Sequence, residues 1–227
     1  MQSSENTIID IAIIIHDESV QRSLKRQLTF QATHDALTGL INRYELERKL
    51  KNILSSPPSG SVCNSLCYLD LDQFKLVNDT CGHMAGDELL KRLAAILKGR
   101  IAESDTLARL GGDEFTVILP SLKGVVHAAY VADKLIEVLQ AAFSIGEHQA
   151  YIGASIGIAI APADAEDAER LVQHAERATA EAKRRGGGIA HFYNPNLNRI
   201  SERSLQIDRL LRGALENHQL ILHYQPL

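Results

Sequence analysis

The order of strand-like and helix-like segments between residues 34 and 193 constrains the fold of this chain most. Short runs rich in β-branched residues alternate with longer runs in which apolar residues recur every three or four positions. Gly111 and Gly112 separate two strand-like runs and predict a tight hairpin. Hairpins inserted between helices favour an α+β domain with an antiparallel or mixed sheet covered by helices. The predicted strands are 65–71, 106–110, 115–119, 144–148 paired with 151–160, and 190–193, and the predicted helices are 44–54, 85–101, 125–143 and 164–185.

The N-terminal segment does not belong to this alternating pattern. Residues 8–15 are strand-like, and a helix follows in which Val20, Leu24 and Leu28 form one apolar stripe. A short strand and a lone amphipathic helix cannot bury themselves. We therefore interpret residues 1–33 as the end of an upstream domain plus a connecting helix whose stripe needs a partner.

Composition and charge exclude several classes of protein. With 45% hydrophobic and 23% charged residues among 227, the chain has the composition of a folded globular protein. Its 24 Lys and Arg against 28 Asp and Glu give a net charge of −4, which argues against nucleic acid or an anionic membrane as partner. The longest apolar stretches, 8–15 and 151–161, are too short to span a bilayer. Three cysteines without metal-ligand spacing argue against a disulfide framework and structural zinc, so we expect a cytoplasmic protein.

Acidic residues occur where two predicted strands end or turn. Asp70 and Asp72 close one strand, and Asp113 and Glu114 follow the Gly-Gly turn. If the two strands are neighbours, the carboxylates converge at one edge of the sheet and suit a hard cation such as Mg²⁺. A solvated sheet end is the alternative, because acidic residues are common in turns. The segment 70–81 does not match a calcium loop, since a lysine and a cysteine stand at its sixth and twelfth positions.

The chain lacks the common phosphate-binding loops, because neither a P-loop nor a Gly-x-Gly-x-x-Gly motif occurs in it. Lys75 and Lys183 remain as candidate phosphate contacts, and the alternative for each is a solvated surface lysine. His34 and His83 have no ligand partners at metal spacing, so we interpret them as local hydrogen-bonding residues.

Four motifs together resemble one family. HDALTGLINR at 34–43, DLDQFKLVND at 70–79, GHMAGD at 82–87 and RLGGDEF at 109–115 are similar to the motifs of diguanylate cyclases, the GGDEF family. The likeness runs from about Thr33 to Tyr193. It implies a ferredoxin-like, nucleotidyl cyclase-palm fold, in which a mainly antiparallel central sheet is flanked by helices.

The flanking segments resemble domains that accompany this family. The N-terminal strand and helix resemble the exit of a PAS sensor. A helix at about 197–217 and a strand at 220–224 resemble the start of an EAL phosphodiesterase domain. The resemblance therefore divides the chain into an upstream end at 1–33, a GGDEF domain at 34–194, and a linker with a truncated EAL start at 195–227. The expected partners are GTP, a second copy bound through the GGDEF domains and the N-terminal helix, and the flanking domains.

The resemblance implies an activity and a role for each motif residue. Two facing domains would join two GTP into cyclic di-GMP with release of pyrophosphate, using Mg²⁺ or Mn²⁺. The implied metal ligands are Asp70, the Leu71 carbonyl, Asp113 and Glu114, of which Asp113 and Glu114 are also the implied catalytic residues. Asn78 and Asp87 would bind guanine. Phe74 and Lys75 would line the phosphate end, and Lys183 would contact the distal phosphates.

The chain also departs from the family pattern. Ala102 stands where the product-inhibition motif has arginine, although its Asp105 remains, so we expect no such site. Ala180 stands where the family usually has a tyrosine, and Gly187 stands where it usually has a phosphate-binding arginine. Arg184 or Arg185 could take over the role of that arginine only from a different side of the helix, because successive helical residues point in different directions. The alternative function is therefore a catalytically weak or inactive GTP-binding domain that regulates a downstream EAL phosphodiesterase. A pure dimerisation module is a third possibility.

Overall fold

Thirteen helices and strands make up the part of the chain that the structure, a computed structural model, describes: residues 19–55, 62–140, 143–145, 148–150 and 152–195. The helices are α1 Ser19–Thr33, α2 Arg43–Ser55, α3 Phe74–Cys81, α4 His83–Lys98, α5 Val125–Leu139 and α6 Ala168–Arg184. The strands are β1 Cys63–Asp72, β2 Thr106–Gly111, β3 Glu114–Leu122, β4 Phe143–Ile145, β5 His148–Ala150, β6 Gly153–Ala161 and β7 Ala190–Phe192.

Five of the strands form one mixed sheet in the order β2-β3-β1-β6-β7. All its neighbours are antiparallel except β6 and β7, which run parallel. Helices cover the sheet, so the predicted α+β class and the mainly antiparallel sheet are confirmed. The hairpin predicted at Gly111 and Gly112 is confirmed as the β2–β3 connection.

One prediction of local structure is wrong, and one helix was not predicted. The segment at 144–148 does not pair with 151–160; β4 pairs with β5 in a separate two-stranded sheet, and β6 pairs with the central strand β1. The sequence of β6 is apolar on both faces, which suits a strand inside the sheet. The short helix α3 was not predicted, because eight residues give too few turns for a clear apolar period.

The sheet lies between two layers of helices, because its strands are apolar on both faces. Odd-numbered residues of β1 face α3, α4 and α5, and even-numbered ones face α2 and α6. The first core includes Leu69, Leu71, Leu89, Leu93, Phe115, Leu135 and Ile156, and the second includes Leu46, Leu50, Leu66, Tyr68, Ile118, Ala159 and Leu171.

Helix α6 approaches the sheet most closely at Gly157 of β6. A Cβ atom at this position would lie 2.0 Å from the Ala175 carbonyl oxygen and 2.3 Å from the Thr179 amide nitrogen. Both are backbone atoms of α6, so the helix as a whole would have to move. The absence of a side chain at Gly157 therefore sets the distance between α6 and the sheet.

The ends of the described region leave part of the domain prediction untested. Residues 8–15, 197–217 and 220–224, on which the predicted flanking elements fall, lie outside the described residues. None of the helices within the described ranges is long and apolar enough to cross a membrane. On α1, the side chains of Leu24 and Leu28 are more than half exposed, at 56% and 58%.

We expect Gly157→Ala to destabilise the fold by roughly 2–3 kcal/mol, because the added methyl group overlaps the backbone of α6. Chemical denaturation measures the loss. The control is Gly99→Ala at the C-terminus of α4, where φ is −77° and a Cβ atom would have only ordinary contacts at 3.6 Å. That variant should be neutral or more stable by up to about 1 kcal/mol. Equal effects in the two variants would contradict the close approach of α6.

Candidate functional site

Strand pairing brings the predicted acidic residues together at one end of the sheet. Asp70 of β1 lies directly across from Glu114 of β3 and from Ser155 of β6. The Leu71 amide donates to the Asp113 carbonyl at 3.4 Å, which joins the turn to β1 at the same level. The condition set by the sequence, that the two strands be neighbours, is therefore met. We call Asp70, Asp113 and Glu114 the acidic rim.

The electrostatics of the acidic rim favour a cation. Burial raises the pKa of Asp70 above its ordinary value, and the negative charges of Asp113 and Glu114 raise it further. A hydrogen bond from Lys183 opposes this rise. The carboxylates thus repel one another in a partly desolvated place, an arrangement that a positive charge stabilises.

Lys183 of α6 supplies one such charge in the structure. Its ammonium group donates to Asp70 Oδ1. One helical turn earlier, Thr179 Oγ1 donates to the Tyr68 carbonyl at 2.9 Å. Four helical residues and two strand residues both advance by about 6 Å, so α6 running along β1 places Lys183 at the level of Asp70.

The residues at this end have the right chemistry for a divalent metal. Carboxylates and a backbone carbonyl are the hard oxygen ligands that Mg²⁺ and Mn²⁺ take, with phosphate and water completing the shell. As the side chains stand, no three carboxylate, imidazole or thiol groups in the described ranges gather closely enough to hold an ion by themselves. Asp70 and Asp113, with the Leu71 carbonyl, would hold the metal when nucleotide phosphates contribute the remaining ligands.

Asp72 has a structural role and does not join the acidic rim. Its Oδ1 accepts from Ser155 Oγ at 2.7 Å, and its Oδ2 accepts from the Gly188 amide at 2.8 Å. The carboxylate thereby fastens the loop after α6. Gly187 in this loop has φ +73°, and a Cβ atom there would lie 3.0 Å from Asp72 Oδ2. An arginine at Gly187 would therefore be strained in this loop conformation.

The predicted base-binding and phosphate residues lie on α3 and α4, next to the acidic rim in sequence. Gly86 packs so closely on Asn78 that a Cβ atom would come 2.0 Å from Asn78 Oδ1. Asp87 and Lys75 are exposed. The side chain of Phe74 is buried in the core, so Phe74 could reach a phosphate only through its backbone amide. The amides at the start of a helix lack intrahelical acceptors and favour anions.

A partly buried ion pair that the sequence did not predict holds the hairpin turn. Arg109 Nη1 donates to both Asp35 oxygens at 2.8 and 3.0 Å, while Nε and Nη2 donate to the Gly112 carbonyl at 3.0 and 2.7 Å. The Thr38 amide and hydroxyl also donate to Asp35. Burial acts to raise the pKa of Asp35, but the hydrogen bonds from Thr38 and Arg109 outweigh it and hold the pKa below its ordinary value. Asp35 and Thr38 of the motif at 34–43 thus fix the turn that carries Asp113 and leads into Glu114.

Gly187 stands where the family pattern has a phosphate-binding arginine, and neither Arg184 nor Arg185 takes the place of that arginine. The Arg185 Nε donates to Glu181 Oε1 at 2.8 Å, and Arg184 forms an ion pair with the other oxygen of Glu181. The hydrogen bond from Arg185 outweighs burial and lowers the pKa of Glu181. Ala180 on the same helix is exposed.

Asp105, the residue of the product-inhibition motif that remains, forms hydrogen bonds within its own loop. Asp105 accepts from the Ala102 amide at 3.0 Å and from Ser104 Oγ at 3.2 Å. A neighbouring cavity of about 330 Å³ is lined partly by Lys49 and Lys98. With alanine at 102, the motif itself offers no guanidinium for a phosphate, and we still expect no tight feedback inhibition.

We expect Arg109→Met to lower stability by about 1–3 kcal/mol, because the partly buried Asp35 carboxylate keeps only its Thr38 donors and the Gly112 carbonyl loses the guanidinium. Urea denaturation measures the loss. The control is Lys134→Met, which removes an exposed cation paired with Glu137 on α5 and should leave the unfolding midpoint unchanged. A midpoint of Arg109→Met equal to that of the control would show that the pair of Arg109 and Asp35 does not hold the turn.

Known proteins match most of this chain in sequence. A sequence model described as "Diguanylate cyclase, GGDEF domain" matches residues 32–188. The chain is 38% identical over 201 residues to the bifunctional diguanylate cyclase/cyclic di-GMP phosphodiesterase MucR of Pseudomonas aeruginosa, covering 88% of this chain and 29% of MucR. It is 35% identical to the probable diguanylate cyclase DgcE of Escherichia coli, covering 98% of this chain and 20% of DgcE. The chain thus spans less than a third of the length of these curated relatives.

Solved structures show the same fold. The GGDEF domain of TpbB (YfiN) from Pseudomonas aeruginosa superposes with a TM-score of 0.71 at 35% identity, covering 74% of this chain and 99% of that one. The coiled coil and GGDEF domain of DgcB from Caulobacter crescentus, solved in complex with c-di-GMP, superposes with a TM-score of 0.69 at 26% identity, covering 76% and 92%.

Proposed function

Because this chain belongs to the GGDEF family of diguanylate cyclases, we propose that its domain condenses two GTP into cyclic di-GMP and pyrophosphate in the cytoplasm. The observation that carries the proposal is the pairing of Asp70 with Glu114 across β1 and β3 beside the Lys183 ammonium group. Phosphoryl transfer needs positioned charges and an activated oxygen more than a covalent nucleophile. The acidic rim and Lys183 offer both kinds of group at one end of the sheet.

Each residue then has one task. Glu114 accepts the proton of a ribose 3′-hydroxyl, whose oxygen forms a bond to the α-phosphorus of the second GTP. The bond from that phosphorus to the pyrophosphate oxygen breaks, and pyrophosphate leaves with the electron pair. The same step between the 3′-hydroxyl of the second GTP and the α-phosphorus of the first, with Glu114 of the second copy as proton acceptor, closes the ring and releases a second pyrophosphate. A bound Mg²⁺ or Mn²⁺ would neutralise charge on the phosphates. Lys183 leaves its ion pair with Asp70 and binds the distal phosphates of GTP instead.

Recognition of guanine falls to the α3–α4 pair. The Asp87 carboxylate is exposed and free to accept from the ring N–H and the exocyclic amine. Asn78 is held against Gly86, so its amide has a defined position beside Asp87. Lys75 and the first amides of α3 complete the phosphate end.

A second candidate function is GTP binding without turnover, in which the domain regulates a downstream EAL phosphodiesterase. The loop at Gly187 and the pairing of Arg184 and Arg185 with Glu181 favour it, because both remove cations from the distal phosphates. Incubation of the purified chain with GTP and Mg²⁺ separates the two functions. Cyclic di-GMP supports the cyclase, whereas GTP affinity without product supports the regulatory domain.

We expect Glu114→Gln to keep the fold and GTP affinity but to lower the rate of cyclic di-GMP formation by about 10²–10⁴-fold, because an amide is a poor proton acceptor. Chromatographic product assays and GTP titration measure the two effects. Glu166→Gln, which neutralises an exposed carboxylate in the loop before α6, is the control and should retain the parent rate. Turnover of Glu114→Gln at the parent rate would remove Glu114 from the mechanism.

We expect specific activity to rise with protein concentration, because each domain holds one GTP and the reaction joins two. The exposed Leu24 and Leu28 of α1 are the proposed contact between copies. A Leu24→Asp, Leu28→Asp double variant should therefore lose activity at concentrations where the parent is dimeric, with assembly followed by light scattering.

The control for this double variant is Arg26→Asp, which changes the net charge by the same amount. At 100° per residue, Arg26 lies about 200° from Leu24 around the helix. It should leave assembly largely intact. Activity that is strictly proportional to protein in a monomeric parent would contradict the need for two copies.

A further inference from the structure

Tyr68 brings a phenol hydroxyl into a mainly apolar layer, whose other buried polar residues include Thr116 and Thr179. Tyr68 lies two positions before Asp70 on β1, and its side chain belongs to the cluster with Leu46 and Ile118. Only 2% of the residue is exposed. A leucine or phenylalanine would fill such a core without bringing a hydroxyl group into it, so the polar end of Tyr68 needs a reason.

The register of the sheet places Tyr68 next to the acidic rim. Tyr68 faces Thr116, and Asp70 faces Glu114, so Tyr68 and Glu114 are diagonal neighbours on one face of the sheet. An aromatic side chain can span this diagonal. The Tyr68 hydroxyl lies beside the Glu114 carboxylate, and burial and then this neighbour raise the pKa of Tyr68.

Besides Tyr68, Glu114 has a cation as a neighbour. Arg43 Nη2, at the start of α2, lies 4.0 Å from Glu114 Oε2. The Glu114 side chain is 35% exposed, and a glutamate in such a place otherwise samples several rotamers. A buried donor and a nearby guanidinium restrict it. Of these two contacts, Tyr68 is the rigid one, because its ring is packed in the core.

We propose that Tyr68 is a positioning residue for cyclisation: its hydroxyl holds the Glu114 carboxylate in the direction from which it accepts the 3′-hydroxyl proton. This inference rests on the proposed function. The competing explanation is that Tyr68 only fills the core. Thr116 provides a matched control, because it lies directly across from Tyr68 and its buried hydroxyl has no hydrogen-bond partner within the described residues.

The first test compares Tyr68→Phe with Thr116→Val in steady-state cyclic di-GMP formation at one protein concentration. We expect Tyr68→Phe to lower kcat by roughly 10- to 100-fold with KM for GTP changed less than about 2-fold, because a hydrogen bond to a charged group is lost while binding groups stay. Thr116→Val should keep the parent kcat. Adding Tyr68→Phe to Glu114→Gln should cause no further loss. A parent-like kcat in Tyr68→Phe, or equal losses in the two single variants, would overturn the inference.

A second readout does not depend on turnover. Tyr68→Phe should lower the urea midpoint of the parent chain but not that of Glu114→Ala, because the hydrogen bond exists only when both groups are present. Additive effects would overturn the inference even in a chain that forms product. A parent chain that forms no product rejects the proposed cyclase activity, and the urea comparison then still decides whether Tyr68 holds Glu114.

Discussion

The antiparallel pairing of β1 with β3 is the constraint on which the site depends. It sets Asp70 opposite Glu114, and it does so only in the register that also buries Leu69 against Phe115 on the other face. A slip of one residue would turn the apolar side chains of β1 to the wrong layers. The same packing that stabilises the core therefore holds the carboxylates together, although they repel one another.

Two close contacts position further groups of the site around the paired strands β1 and β3. Gly157 lets α6 lie directly on the sheet, and that distance allows Lys183 to reach Asp70. Arg109 joins Asp35 to the Gly112 carbonyl and so fixes the turn before Glu114. Both contacts place charged groups by means of backbone geometry, and a flexible loop could not offer the same precision.

The same geometry shows where this chain differs from its family pattern. The loop after α6 is fastened by Asp72 and passes Gly187 in a left-handed conformation, close to the carboxylate. Glu181 keeps Arg184 and Arg185 on the flank of α6. In the proposed function, the phosphates would therefore be bound by Lys183, Lys75 and the amides at the start of α3, with fewer cations than the family pattern provides.

Much of this protein could be predicted from its sequence, because apolar periodicity and turn residues act over short distances. They predicted the α+β class, the hairpin at Gly111 and Gly112, and the meeting of Asp70 with Glu114 once β1 and β3 were assumed to be neighbours. The pairing of β6 with β1 escaped prediction, since periodicity along one segment does not say which strand lies beside it.

Only the tertiary structure decided which of the residues singled out in the sequence lie next to one another. Asp72 looked like a companion of Asp70 in sequence but fastens a loop, and Phe74 lies in the core. Asp35 and Arg109 are 74 positions apart, and Tyr68 and Glu114 are diagonal neighbours on adjacent strands. The physical reason is that hydrogen bonds and ion pairs depend on distances of a few ångströms in space, which strand register and helix packing determine.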